Sequence, residues 1–191
     1  YVSMYPVWTR ISGFFSPTTL TILPVAATLV LLTAIFLAFR NSFRQTPSSM
    51  ALTGIGIFVC LAALWIPDPA FPAKKIHVAE YLLLSCVVRF AMSFKLQSTS
   101  LLFFSFLFTA ILGIHDEFLQ GFHSSRTFGL RDMAVNSMGA GGGALIWHGL
   151  SLFPGSLQGT DSNETTRAAE IIYLGWLTLS TICFIWPCSF Y

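Results

Sequence analysis

Residues 18–39 read TTLTILPVAATLVLLTAIFLAF, 22 consecutive positions without a charge, closed by Arg40 and Arg44. As an α-helix this stretch rises about 33 Å, enough to cross a bilayer core of roughly 30 Å. It is longer than the core of a secretory leader and has neither a basic start nor a small-residue cleavage site, so it reads as part of the mature structure. Pro24 is tolerable in a membrane helix. Working outward, apolar runs follow at Met50–Ile66, Ile76–Phe94, Thr99–Ile114, Asp132–Phe153 and Glu170–Trp186. The second stops at Pro67-Asp68-Pro69, where two prolines and an acid oppose further helix. The expected fold is therefore all-α, a polytopic transmembrane bundle of about six spanning helices forming one integral membrane domain over residues 1–191, without repeats.

Composition agrees. Lysine and arginine number 10 and aspartate and glutamate 8, so 9% of the chain is charged, against roughly 25% in soluble domains; the mean hydropathy is +0.72. Disorder and a small disulfide scaffold are excluded, and a net charge of +2 is too small and dispersed for a nucleic-acid partner. Cys60, Cys86, Cys183 and Cys188 sit in or beside apolar runs without CxxC spacing and read as small buried hydrophobes. No HExxH, nucleophile elbow or glycine-rich phosphate loop occurs, so no metal or cofactor is predicted. Asn163-Glu164-Thr165 matches a glycosylation sequon by pattern only.

Six spans place both termini, with the 67–75 and 115–131 loops, on one face of the membrane, called face A. It carries Arg10, Lys74, Lys75, Arg126 and Arg131, whereas face B carries Arg40, Arg44, Lys95 and Arg167. That balance does not orient the protein, although Arg40 and Arg44 close against the first span favour face B as cytoplasmic.

The polar residues are unevenly spread. Residues 74–81 and 115–132, together 26 positions, hold eight of the 18 charges and three of the four histidines. Charges at membrane depth cost about 2.5–3.5 kcal/mol each on insertion scales and seldom stand without partners. Helical spacing puts His77 and Tyr81 on one face of the third span, with Glu80 beside them, Glu117 and Gln120 on one face at the end of the fourth, and Asp132 and Asn136 on one face at the start of the fifth. Three polar faces thus converge on face A. Arg126 is suited to a bidentate carboxylate or phosphate contact. Gly139 and Gly143 form a small-xxx-small face for helix packing. Of the remaining polar residues, Arg89 is expected to snorkel towards face B and His148 to pack within its helix.

The pattern Lys74-x2-His77-x3-Tyr81, then Glu117-x2-Gln120, then Arg126-x5-Asp132-x3-Asn136-x2-Gly139-Ala140-x2-Gly143 resembles the VanZ-like membrane proteins, over roughly residues 50–150. The chain departs from the family pattern at Ala73, at Ser124-Ser125 and at Gly129. Residues 1–49 and 151–191 are flanking helices and tails outside the likeness. The resemblance implies a multi-pass membrane protein, expected in the bacterial inner (cytoplasmic) membrane; the family's named member is associated with resistance to teicoplanin, and no particular reaction is implied.

Two readings follow. In the first, the face-A cluster is an interfacial pocket for an anionic or lipid-linked ligand: Lys74 and Arg126 hold a phosphate or carboxylate, Glu117 or Asp132 exchanges a proton, and His77 and Tyr81 orient the ligand. The bland version of the same cluster is a hydrogen-bonded network fixing three helices together. In the second, the chain is a non-catalytic accessory or structural subunit of a larger membrane complex, such as a photosynthetic or respiratory assembly. Its aromatic ends, Tyr1, Tyr5, Trp8, Phe14 and Phe15, then Trp186, Phe190 and Tyr191, would dock on neighbours or sit in the bilayer's aromatic belt.

Overall fold

Five of the six apolar runs fold as helices. In the computed structural model, which describes residues 13–14, 16–39, 47–69, 71–121 and 129–154, these are α1 (Pro17–Phe39), α2 (Pro47–Ala63), α3 (Ile76–Met92), entered through a 3-10 turn at Pro72–Lys75, α4 (Ser98–Gly121) and α5 (Leu130–Gly149). The described residues contain no strand. The sixth run, Glu170–Trp186, and the aromatic ends other than Phe14 lie outside them, as do His123, Arg126, Asn163, Cys183 and Cys188.

Three helical stretches, Thr18–Leu37, Pro72–Ser93 and Ser98–Gly121, are long and apolar enough to cross a membrane. This is a membrane protein, with three such helices among the described residues where six spans were expected. α2 is apolar but only 17 residues long, about 25 Å. α5 has 20 residues, but glycines, Arg131, Asp132 and Asn136 dilute its hydropathy. The outer helices turn large apolar side chains outward: Ile22, Leu23, Val30 and Leu37 on α1, Phe58 on α2, Val87 on α3 and Phe103 on α4 are exposed. An apolar surface of this extent suits lipid as the surrounding solvent.

The bundle is organised around α5, which packs against α2, α3 and α4. Its glycines permit this. A Cβ on Gly142 would stand 2.8 Å from the Gly56 carbonyl of α2, and one on Gly139 3.1 Å from the Val78 carbonyl of α3. The first separation is one that real Cβ atoms essentially never show and the second is tighter than most, so the glycines allow a close approach that raises dispersion contact along the whole seam. Gly143, one turn beyond Gly139, lies equally tight against Leu82. The core joins α1, α2, α3 and α5 through Leu32, Cys60, Leu82, Val135, Ile146 and Trp147. In α1, the Thr28 hydroxyl donates to the Pro24 carbonyl at 3.0 Å, and the helix runs through the proline.

Several boundaries differ from the sequence reading. α2 starts at Pro47, using proline's fixed φ at a helix start. α4 continues seven residues beyond Ile114, because His115, Asp116 and Glu117 are not helix breakers and the latter two find side-chain partners there. α5 stops at Gly149 rather than Phe153. Its end is a Schellman motif, in which the Ser151 amide donates to His148 O at 3.0 Å and the Leu152 amide to Trp147 O at 2.9 Å, with Ser151 at φ 54°.

That motif also corrects the reading of Arg89. Instead of snorkelling, Arg89 is 2% exposed, and its Nε donates to the Leu152 carbonyl at 2.6 Å. The chain reversing after α5 brings that carbonyl over the end of α3.

Candidate functional site

The polar faces of α3, α4 and α5 meet at the face-A end of the bundle. α4 prepares its side with a stripe at four-residue spacing, Ser105, Thr109, Gly113 and Glu117, all buried. The two hydroxyls are satisfied on their own helix, Ser105 donating to Leu102 O at 3.0 Å and Thr109 to Ser105 O at 2.7 Å. Gly113 lets α3 and α5 close in, since a Cβ there would lie 2.7 Å from Asn136 Cβ and 2.9 Å from the Tyr81 ring. Glu117 follows one turn later, 1% exposed.

Lys74, in the 3-10 turn before α3, forms an ion pair with Asp132 in the first turn of α5. An acid at that position also faces the positive end of the helix dipole. The Lys74 ammonium lies 5.6 Å from the centre of the Phe71 ring. His77 and Tyr81 both point inward from α3. His77 Nδ1 is 2.9 Å from Glu80 Oε2, a partner on its own helix whose side chain is 45% exposed. The Tyr81 hydroxyl faces Asp116 Oδ2 across a long 3.5 Å. Gln120 Nε2 donates to Asp116 Oδ2 at 2.9 Å and, more weakly, to Glu117 Oε1 at 3.4 Å. Asn136, fully buried on α5, donates through Nδ2 to the Gly113 carbonyl at 3.2 Å.

Lys74, Tyr81, Glu117, Gln120, Asp132 and Asn136 are thus drawn into one cluster, with His77 within electrostatic reach of Glu117. Gly139 and Gly143 hold α5 against α3 just below it. Arg126 lies outside the described residues. Lys74 is engaged by Asp132, so an anion binding there would have to compete with a carboxylate already in place. Among the described residues, no group of three or more His, Cys, Asp or Glu is arranged to hold a metal ion.

Gly113 was not singled out from the sequence, and Asp116, although among the clustered charges, was not among the candidate site residues. The signal for both was present in the four-residue stripe through the Leu/Phe-rich run, with Asp116 four residues before Gln120. At the opposite end a second polar group was also missed: Trp147 Nε1 donates to Leu82 O at 3.1 Å and to Ser85 Oγ at 3.0 Å.

Fold and site together define a helical membrane protein with a buried polar cluster at one end of its bundle. Comparison of the chain with protein-family models, with curated proteins and with solved structures finds no match.

Proposed function

We propose that this chain is a VanZ-like integral membrane protein of a bacterial inner membrane, and that its face-A cluster binds the polar head group of a lipid-linked ligand. The observation that carries this reading is Glu117. A carboxylate 1% exposed in an apolar helix, with an oxygen that has no hydrogen-bond partner among the described residues, costs several kcal/mol if it serves packing alone. Around it, side chains from three helices bond mainly to one another, an arrangement that a ligand can enter by exchanging partners. The rim is accessible, because Lys74 and Glu80 are partly exposed.

The test is lipid retention. Glu117→Gln keeps the side chain's shape and removes its charge, and it should insert at the parental level while losing co-purifying lipid about tenfold, the equivalent of ~1.4 kcal/mol. Parental retention in this variant and in Asp132→Asn would reduce the cluster to helix glue. Isolation of the parent in fixed ratio with other membrane subunits, and without bound lipid, would favour the accessory-subunit reading.

A further inference from the structure

The donors and acceptors of the face-A cluster do not balance, and the imbalance has a sign. Its described side-chain donors have partners: Lys74 with Asp132, His77 Nδ1 with Glu80, Gln120 with Asp116 and Glu117, Asn136 Nδ2 with the Gly113 carbonyl, and Tyr81 facing Asp116. Two buried atoms remain without a partner among the described residues, Glu117 Oε2 and Asn136 Oδ1. Both are acceptors. Leaving each unpaired costs about 1–3 kcal/mol, more where the group is charged.

The two oxygens belong to one seam. Asn136 bonds the Gly113 carbonyl, which places its amide at the turn of α4 that leads to Glu117. Among the described residues charge points the same way: Asp68, Glu80, Asp116, Glu117 and Asp132 outnumber Lys74, Lys75 and Arg131 at this end, and Lys74 and Arg131 are already paired with Asp132 and Asp68.

We propose that this site recognises a hydrogen-bond donor carrying positive charge, the primary ammonium of a lipid head group, through Glu117 Oε2 and Asn136 Oδ1. The inference rests on the head-group reading above and replaces the anionic ligand expected from sequence. An ammonium supplies N–H donors and charge together, and charge-assisted bonds of this kind are about twice as strong as neutral ones. A phosphate, which is an acceptor, would leave both orphan oxygens unpaired and add repulsion from the carboxylates.

The test compares lipids on the unaltered full chain, so no variant need fold. The purified protein is reconstituted into mixed vesicles of phosphatidylethanolamine, phosphatidylcholine and phosphatidylglycerol, re-extracted, and its retained lipid measured by native mass spectrometry. Phosphatidylcholine is the informative control, because its quaternary ammonium has the charge without an N–H. Retention of phosphatidylethanolamine about tenfold over both others, lost in Glu117→Gln, is the expected result. Equal retention of the ethanolamine and choline lipids overturns the donor assignment. Preference for phosphatidylglycerol overturns it too, while leaving the head-group reading standing. Retention of none of the three removes both. Phosphatidylethanolamine retained only by Arg126→Gln would identify Arg126 as the donor already in place, and would also overturn the proposal.

Discussion

The two ends of the α3–α5 bundle handle buried polarity in opposite ways. At the face-A end the side chains of Lys74, Asp132, Asp116, Glu117 and Gln120 bond to one another. At the face-B end they bond mainly to the main chain: Arg89 to Leu152 O, Trp147 and Ser85 to Leu82 O, and Ser49 to Gly149 O, with one side-chain bond from Trp147 to Ser85. A backbone carbonyl cannot titrate, swing away or accept a substitute for itself, so the face-B set is a clamp. A side-chain network can trade partners, and only such a network can receive a ligand without unfolding a helix. The unmet atoms also differ. Face A has acceptors to spare in Glu117 and Asn136, whereas at face B Arg89 Nη1 and His148 Nδ1 have no partner among the described residues.

If the clamp is structural, the largest losses of stability belong to face B. A Cβ added at Gly149 would stand 2.8 Å from the Ser49 carbonyl and 3.0 Å from the Thr53 amide, and would also meet the Thr53 hydroxyl. Two of those neighbours are backbone and cannot step aside. Gly149→Ala should therefore push α2 off α5 and break the Ser49 bond, costing about 3 kcal/mol in overpacking. Helix propensity returns about 1 kcal/mol, leaving a net loss of about 2 kcal/mol in thermal or denaturant unfolding in detergent. A neutral result would show that α2 sits less tightly on α5 than this clamp requires.

The next effect belongs to face A. Lys74→Met alone strands Asp132, whose side chain is 5% exposed, and should cost about 1–2 kcal/mol, because removing one partner leaves a buried charge uncompensated. Adding Asp132→Asn should recover most of that loss. A double-mutant cycle should give a coupling near 1 kcal/mol, since Lys74 is 24% exposed and water weakens its half of the pair. A coupling of zero would mean that the carboxylate is held by the helix end rather than by the lysine.

What the sequence made legible follows from which signals are local. Helix existence was readable wherever an uncharged run was long, as in α1, and the polar faces were readable from three- and four-residue spacing, so the convergence of His77, Tyr81, Glu117, Asp132 and Asn136 on one end could be anticipated. The extension of α4 to Gly121 was not, because the stability of its last two turns comes from bonds to side chains distant in sequence or facing one another only once the turn has formed. Arg89 was misread for the same reason: an arginine near a helix end has an obvious route to the interface, and only the reversal at Ser151, made without a glycine, brings the Leu152 carbonyl into its path. The partner of Lys74 was hidden as well. Nothing local to Lys74 shows that Asp132, 58 positions away, engages it.

The smallest effect marks where the face-A network stops. Arg131 Nη1 lies 3.4 Å from Asp68 Oδ2, but the side chains are 65% and 48% exposed. Exposed pairs of this kind contribute little, so Asp68→Ala should shift stability by less than about 0.5 kcal/mol. Arg131 also sits in the first turn of α5, where a cation opposes the helix dipole. Arg131→Ala should therefore be neutral or slightly stabilising, and should leave lipid retention unchanged. A loss above about 1 kcal/mol, or a changed lipid preference, would carry the binding network from the buried Glu117–Asn136 seam out to the exposed rim. The division between a ligand-exchanging interior and a passive surface would then have to be redrawn around Asp68.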